Sequence, residues 1–224
     1  MKRIVFPSLA AASILLGASL GSSATRPHYG GALRVQMHAR VASLDPRDWP
    51  ADPVLAAATE KVASLIFERL VQLDESGQPQ AALATAWQHD AGFKRWEFRL
   101  RNGVRFHDRT PLTPVAVVAA WQRIPGKDWL ASVSGEWLVI QSERPMPGLL
   151  AEVGRGRYLV AQISGDGSVV GTGPFRVAEW QPGRGLVLAA NEDYWGGRPF
   201  VDTIGISLDR SPREIGRASC RERV

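Results

Sequence analysis

Residues Trp96 to Arg101, WEFRLR, alternate strictly between apolar and polar side chains and run into Asn102-Gly103 and then Val104-Arg105-Phe106. A period of two buries one face of an extended strand and wets the other, a pattern no helix can use. Asn-Gly between two such runs is a strong short-range hairpin signal, because both residues tolerate the positive φ of a type I′ turn. The stretch commits the chain to a sheet and predicts a hairpin from Trp96 to Phe106.

Other segments carry the same period. Ala32 to His38, ALRVQMH, follows Gly30-Gly31 with Leu33, Val35 and Met37 alternating; Trp137 to Gln141, which does not alternate, is a further candidate strand. The stretch from Gly171 to Phe200 is a predicted hairpin, Pro174 to Trp180 against Leu186 to Ala190, about a Pro182-Gly183 turn. A second turn from Asn191 to Pro199 leads into a strand from Val201 to Leu208, and Ser164 to Ser168 is a glycine-rich turn.

Between the strands the period changes. Asp52-Pro53 offers an N-cap and a first-turn proline to a segment with Leu55, Ala58, Val62, Leu65, Ile66 and Leu70 at helical spacing. The predicted helix runs from Val54 to Leu70, about 25 Å at a rise of about 1.5 Å per residue. Thr113-Pro114 caps and opens a second helix over VAVVAAW, and Met146 to Val153 is a third, short one. The loop ASLDPRDWPADP, residues 42 to 53, holds three prolines and three aspartates and can continue neither a strand nor a helix.

Apolar residues make up 45% of the 224, enough to build a core, and the single cysteine, Cys220, leaves no internal disulfide to share the work. Lys2 and Arg3, an apolar run from Leu9 to Leu20 and small residues at Ser22 and Ala24 predict a secretory signal peptide cleaved after Ala24. No cysteine follows that site to carry a lipid, so the expected mature chain is exported and is not a lipoprotein. The formal charge of +5 sits at the edges: losing Lys2 and Arg3 leaves 25 basic against 22 acidic residues, or +3. Setting aside residues 213 to 224, with four Arg and two Glu, leaves +1, which argues against binding to a nucleic-acid backbone.

The residue types of a catalytic site are present but not in catalytic patterns. Gly165 and Gly167 followed by Gly171 miss the G-x-G-x-x-G spacing, and no G-K-[ST] lysine follows Gly171-Thr172-Gly173. His28, His38, His89 and His107 have no metal-ligand spacing and read as solvated or hydrogen-bonded. No serine stands in a G-x-S-x-G elbow, and Cys220 lies in a polar, arginine-rich tail. Trp87, Trp96, Trp121 and Trp180 read as packing residues, whereas Trp49 stands in a proline-bounded loop between a strand and a capped helix, where a rigid scaffold can present an aromatic to a ligand and simple packing is an equal alternative.

Several stretches, in order, resemble one family, the family 5 solute-binding proteins of bacterial ABC importers, which capture peptides, nickel chelates and related solutes. They are Gly30 to Val35, Ser43-Leu44-Asp45-Pro46, IFERLVQLDESGQPQAALATAW (66 to 87), WEFRLRNGVRFHDRTPLT (96 to 113), Trp121, GTGPFRVAEWQPG and NEDYWGGRPFVDTI. The resemblance spans Gly30 to about Ile206. It implies an α/β, type II periplasmic binding protein-like first lobe, over residues 25–213, with a reduced extra subdomain and its second lobe missing. It also implies a monomer with no catalysis and no cofactor, which hands a small solute, peptide above all, to a membrane permease. A non-transport ligand-sensing or interaction role on the same scaffold, or a non-functional truncated fragment, is the alternative.

In peptide-binding relatives the loop after the S-L-D-P motif touches ligand through backbone groups, which carries over to Trp49, Pro50, Ala51 and Asp52. Pro50 has no N–H to offer. The chain departs from the pattern at Arg109, where a glycine is usual, and at Val115-Ala116, where an acidic residue is usual. The segment from Trp121 to Gly171 is short, and residues 214–224 do not continue the pattern and are expected to be a non-native tail.

Overall fold

A computed structural model of the chain describes residues 29–122, 124–164 and 168–208. The expected leader, the tail with Cys220, His28 and the centre of the Ser164 to Ser168 turn lie outside these residues. In chain order the elements are β1 (Ala32–Met37), a 3-10 turn (Pro46–Asp48), α1 (Pro53–Ala63), β2 (Val71–Leu73), β3 (Pro79–Ala81), β4 (Ala84–His89), β5 (Arg95–Leu100) and α2 (Pro114–Gln122). They continue with β6 (Leu130–Ser134), β7 (Trp137–Gln141), α3 (Leu149–Val153), β8 (Gln162–Ile163), β9 (Val169–Val170), β10 (Phe175–Gln181), β11 (Gly185–Ala190) and β12 (Thr203–Leu208).

Two four-stranded sheets organise the molecule. The first has the order β1-β12-β11-β10, and the second β4-β5-β7-β6. β1 runs parallel to β12, with Leu33 beside Ile204 and Met37 beside Leu208, so the two ends of the described chain meet in one sheet and the segment from β2 to β9 is inserted between its first strand and the other three. The predicted β10–β11 hairpin forms, with a bulge between Val177 and Glu179, and β12 adds to it. One core lies under this sheet and α1, around Ile66, Phe67, Leu188 and Ile206; the other lies between the second sheet, α2 and α3, around Phe98, Trp121, Leu138 and Ile140. Trp87, Trp96 and Trp121 pack in the second core and Trp180 against the first, as their spacing implied.

Two sequence expectations are corrected. The Asn102-Gly103 turn does not make a hairpin between β5 and 104–106. Both edges of β5 are already taken, by β4 and β7. Val104–Phe106 instead pairs forward, through Leu112 N–H to Val104 O at 2.9 Å and Phe106 N–H to Thr110 O at 2.9 Å. The helix predicted over 54–70 stops at Ala63, so α1 has 11 residues. Beyond it the backbone is claimed by other segments: Gly173 N–H donates to Ile66 O at 2.9 Å, Phe175 N–H to Leu65 O at 3.0 Å and Val160 N–H to Glu68 O at 2.8 Å. Tertiary pairing outweighs helical periodicity here.

That crossing explains Gly171-Thr172-Gly173. A Cβ on Gly171 would stand 2.1 Å from Ile66 O, and one on Gly173 would stand 2.7 Å from it. Only glycine lets the two backbones approach so closely. On the far side, the Glu68 carboxylate accepts from Thr172 Oγ1 at 2.8 Å, Tyr194 OH at 3.0 Å and Trp195 Nε1 at 3.0 Å, while the Arg101 guanidinium stacks 4.1 Å above the Trp195 ring. Burial pushes the Glu68 carboxyl above its ordinary range against the pull of these donors. His107 holds the same glycine segment: Gly171 N–H donates to its Nδ1 at 3.3 Å, and its Nε2 lies 3.0 Å from Gly173 O.

Candidate functional site

The loop that leaves β1 starts at the carboxyl end of a parallel strand, where open α/β sheets place their ligands. It is pinned to the sheet by buried Val41, whose carbonyl accepts from Gly183 N–H at 2.9 Å, and by buried Leu44. Ser43 Oγ donates to Asp48 Oδ2 at 2.8 Å and accepts from Asp45 N–H at 3.1 Å. Asp45 caps the 3-10 turn by accepting from Arg47 N–H at 2.9 Å, and its carboxylate is gripped by the Arg47 side chain through Nε, at 2.8 Å to each oxygen, and through Nη2. This pairing holds the Arg47 guanidinium above its ordinary range.

The four residues singled out in the sequence follow directly. Trp49 is half-buried against the first core, with its indole facing Gly156, where a Cβ would stand 3.7 Å from Nε1. Asp52 Oδ1 accepts from Val54 N–H and Leu55 N–H, both at 2.9 Å, and so caps α1. Pro50 is half-buried, and Ala51 and Asp52 are exposed. All four form one surface strip leading into the helix, with the side chains of Trp49 and Asp52 committed to the fold.

Beside this strip lies a pocket of about 370 Å³. It is lined by Asp45, Pro46 and Arg47, by α2 through Ala116, Ala119, Ala120 and Gln122, and by Leu159, Ala161 to Ile163 and Val169. None of Trp49 to Asp52 lines it. The sequence reading missed the α2 wall, although Ala116, Ala119 and Ala120 at i, i+3 and i+4 signal a small-residue helix face. The Gln162 amide is oriented by its own donations to Asp108 Oδ2 at 3.1 Å and Thr110 Oγ1 at 3.2 Å.

On the other side of the loop, a more open groove of about 810 Å³ runs between α1 and β1, lined by Leu33, Val35, Met37, Val54, Leu65 and Ile204 among others. Two of its apolar residues stand well exposed, Val54 at 75% and Leu33 at 48%, while Ile204 is buried. Among the described residues no three His, Cys, Asp or Glu side chains group in a way that could hold a metal ion, and no helix is long and apolar enough to cross a membrane. The loop and pocket offer shape, backbone groups and a neutralised ion pair, which are means of holding a molecule.

A sequence model described as bacterial extracellular solute-binding proteins, family 5 Middle, matches residues 78–211. The chain is 31% identical over 171 residues to the uncharacterized protein YhjP of Bacillus subtilis, covering 70% of this chain and 29% of that one. It is 25% identical over 174 residues to the oligopeptide-binding protein AppA of the same organism, covering 66% of this chain and 32% of that one. A crystal structure titled as a nickel ABC transporter from Bacillus halodurans has the same fold, with a TM-score of 0.71 at 24% identity, covering 85% of this chain and 42% of that one. The chain thus spans about a third of the length of the curated relatives it matches.

Proposed function

The chain belongs to the bacterial extracellular solute-binding proteins of family 5, and from that membership we propose that it captures a small solute, a peptide or a related molecule, outside the cytoplasm for an ABC permease in the membrane. Residues 1–24 serve as the export signal and residues 25–213 as the first lobe of the binding protein. The observation that carries the reading is the pocket that Asp45–Arg47 and the alanine face of α2 line together, with the strip Trp49–Asp52 following it in the same loop beyond the carboxyl end of β1. Trp49, Ala51 and Asp52 meet solute through backbone groups, and Pro50 through its carbonyl alone. The name of the oligopeptide-binding relative favours a peptide over other solutes.

Thermal unfolding of the purified chain, titrated with a mixture of di- to pentapeptides, tests the reading. A ligand at a hundred times its dissociation constant stabilises by about 2.7 kcal/mol, and a smaller but saturable rise is expected from a chain about a third as long as its relatives. A midpoint that no peptide moves at millimolar concentration contradicts it.

A further inference from the structure

We propose that the pocket between the Asp45–Arg47 turn and α2 is a side-chain subsite for an uncharged, apolar part of the solute, with Ala119 and Ala120 limiting its size; this rests on the solute-capture reading above. The first argument is charge. Among the described residues the pocket's charged lining is Asp45 and Arg47, and the guanidinium engages both oxygens of the carboxylate. An incoming carboxylate or ammonium would have to break that pair or lose its water without compensation, which is costly in a confined site. An apolar group incurs neither cost.

The second argument is shape. Ala116, Ala119, Ala120 and Ala161 bring only methyl groups to the lining, and Leu159, Ile163 and Val169 complete an apolar surface. A dry cavity of about 150 Å³ already admits benzene, so a pocket of about 370 Å³ has room for a phenylalanine or leucine side chain. The third argument is polarity. Gln162 faces the pocket with an amide already committed to Asp108 and Thr110. Asp45 engages Nε and Nη2 of Arg47, and among the described residues none engages Nη1, which leaves a donor for one neutral carbonyl of the solute backbone. An apolar surround with few polar anchors is the usual make-up of a selective small-molecule site.

The test is methyl and amide NMR on the full chain, titrated separately with Ala-Phe-Ala, Ala-Leu-Ala, Ala-Asp-Ala, Ala-Lys-Ala and Ala-Ala-Ala. The Phe and Leu peptides are expected to shift the methyl signals of Ala116, Ala119 and Ala120 and to bind at least tenfold more tightly than the Asp and Lys peptides. Ala119→Trp, at an exposed helix position, fills the pocket and is expected to weaken Ala-Phe-Ala at least tenfold. Ala120→Leu, a smaller change, guards against misfolding and is expected to act in the same direction. Equal affinity for the Phe and Asp peptides, or unchanged Ala-Phe-Ala binding in both variants with shifts confined to Trp49–Asp52, overturns the subsite and leaves solute capture standing. No shift anywhere with any peptide overturns both.

Discussion

Arg109 sits at φ 68°, in the left-handed region where a Cβ crowds the following carbonyl. It closes the turn after Phe106, whose carbonyl accepts from Arg109 N–H at 2.8 Å. Arg109→Gly relieves that crowding and is expected to stabilise the chain by about 0.5–1 kcal/mol, net of the extra freedom glycine has when unfolded; an unchanged or lower urea midpoint counts against it. His107 carries the pH dependence. Burial depresses its pKa below the ordinary imidazole value, and an Nδ1 that accepts from Gly171 N–H cannot also be protonated. A depressed folded pKa gives stability that is present above the unfolded value, about 6.5, and is lost as pH falls through the folded value. Asp108 opposes and Arg176 reinforces the depression. Stability is therefore expected to decline below about pH 6.5, and His107→Gln to flatten that slope; parallel curves for the two proteins would remove His107 from this role. Glu68, raised by burial, acts with the opposite sign: its contribution is present below its unfolded value and is lost as pH rises through its folded value.

Elements bounded by their own chemistry were legible in advance. Asp52 and Thr113 stand at the starts of α1 and α2, and Asp52 makes two capping hydrogen bonds while Thr113 Oγ1 accepts from Ala116 N–H at 3.2 Å. Asp52→Ala is expected to cost about 1 kcal/mol and Asp52→Asn almost nothing, because asparagine caps equally well; equal losses from both would deny the cap. The Pro182-Gly183 hairpin was readable because its strands are neighbours in sequence and no third strand competes for the shared edge. What failed, failed where distant segments compete. Val104–Phe106 could not reach β5, and residues 64–70 left the helix to meet residues 160 and 171–175. Nothing local in IFERLV announces that partner, although two glycines framing Thr172 hint at a close approach. Gly173→Ala would set a Cβ 2.7 Å from Ile66 O and is expected to cost about 3 kcal/mol or more, since backbone on both sides cannot yield. A variant as stable as the parent would show that the crossing is looser than drawn.

At the scale of the molecule, the sheet order β1-β12-β11-β10 brings a strand from each end of the described chain together, and no local periodicity could have paired them. Membership in the family was legible from ordered motifs, because each marks a place where the fold leaves little choice: the S-L-D-P turn with its Asp45 cap, the glycines at the crossing, and the Tyr194-Trp195 pair on Glu68. The proposed binding surface was only partly legible. The strip Trp49–Asp52 is contiguous in sequence, whereas the pocket beside it is assembled from a turn, a helix face and residues 159–163, which folding alone brings together. If this assembled surface holds solute, hydrogen exchange slows in residues 43–52 and 116–122 when a saturating peptide such as Ala-Phe-Ala is added to the chain, with the second sheet unchanged; protection confined to other segments, or none at all, rules it out.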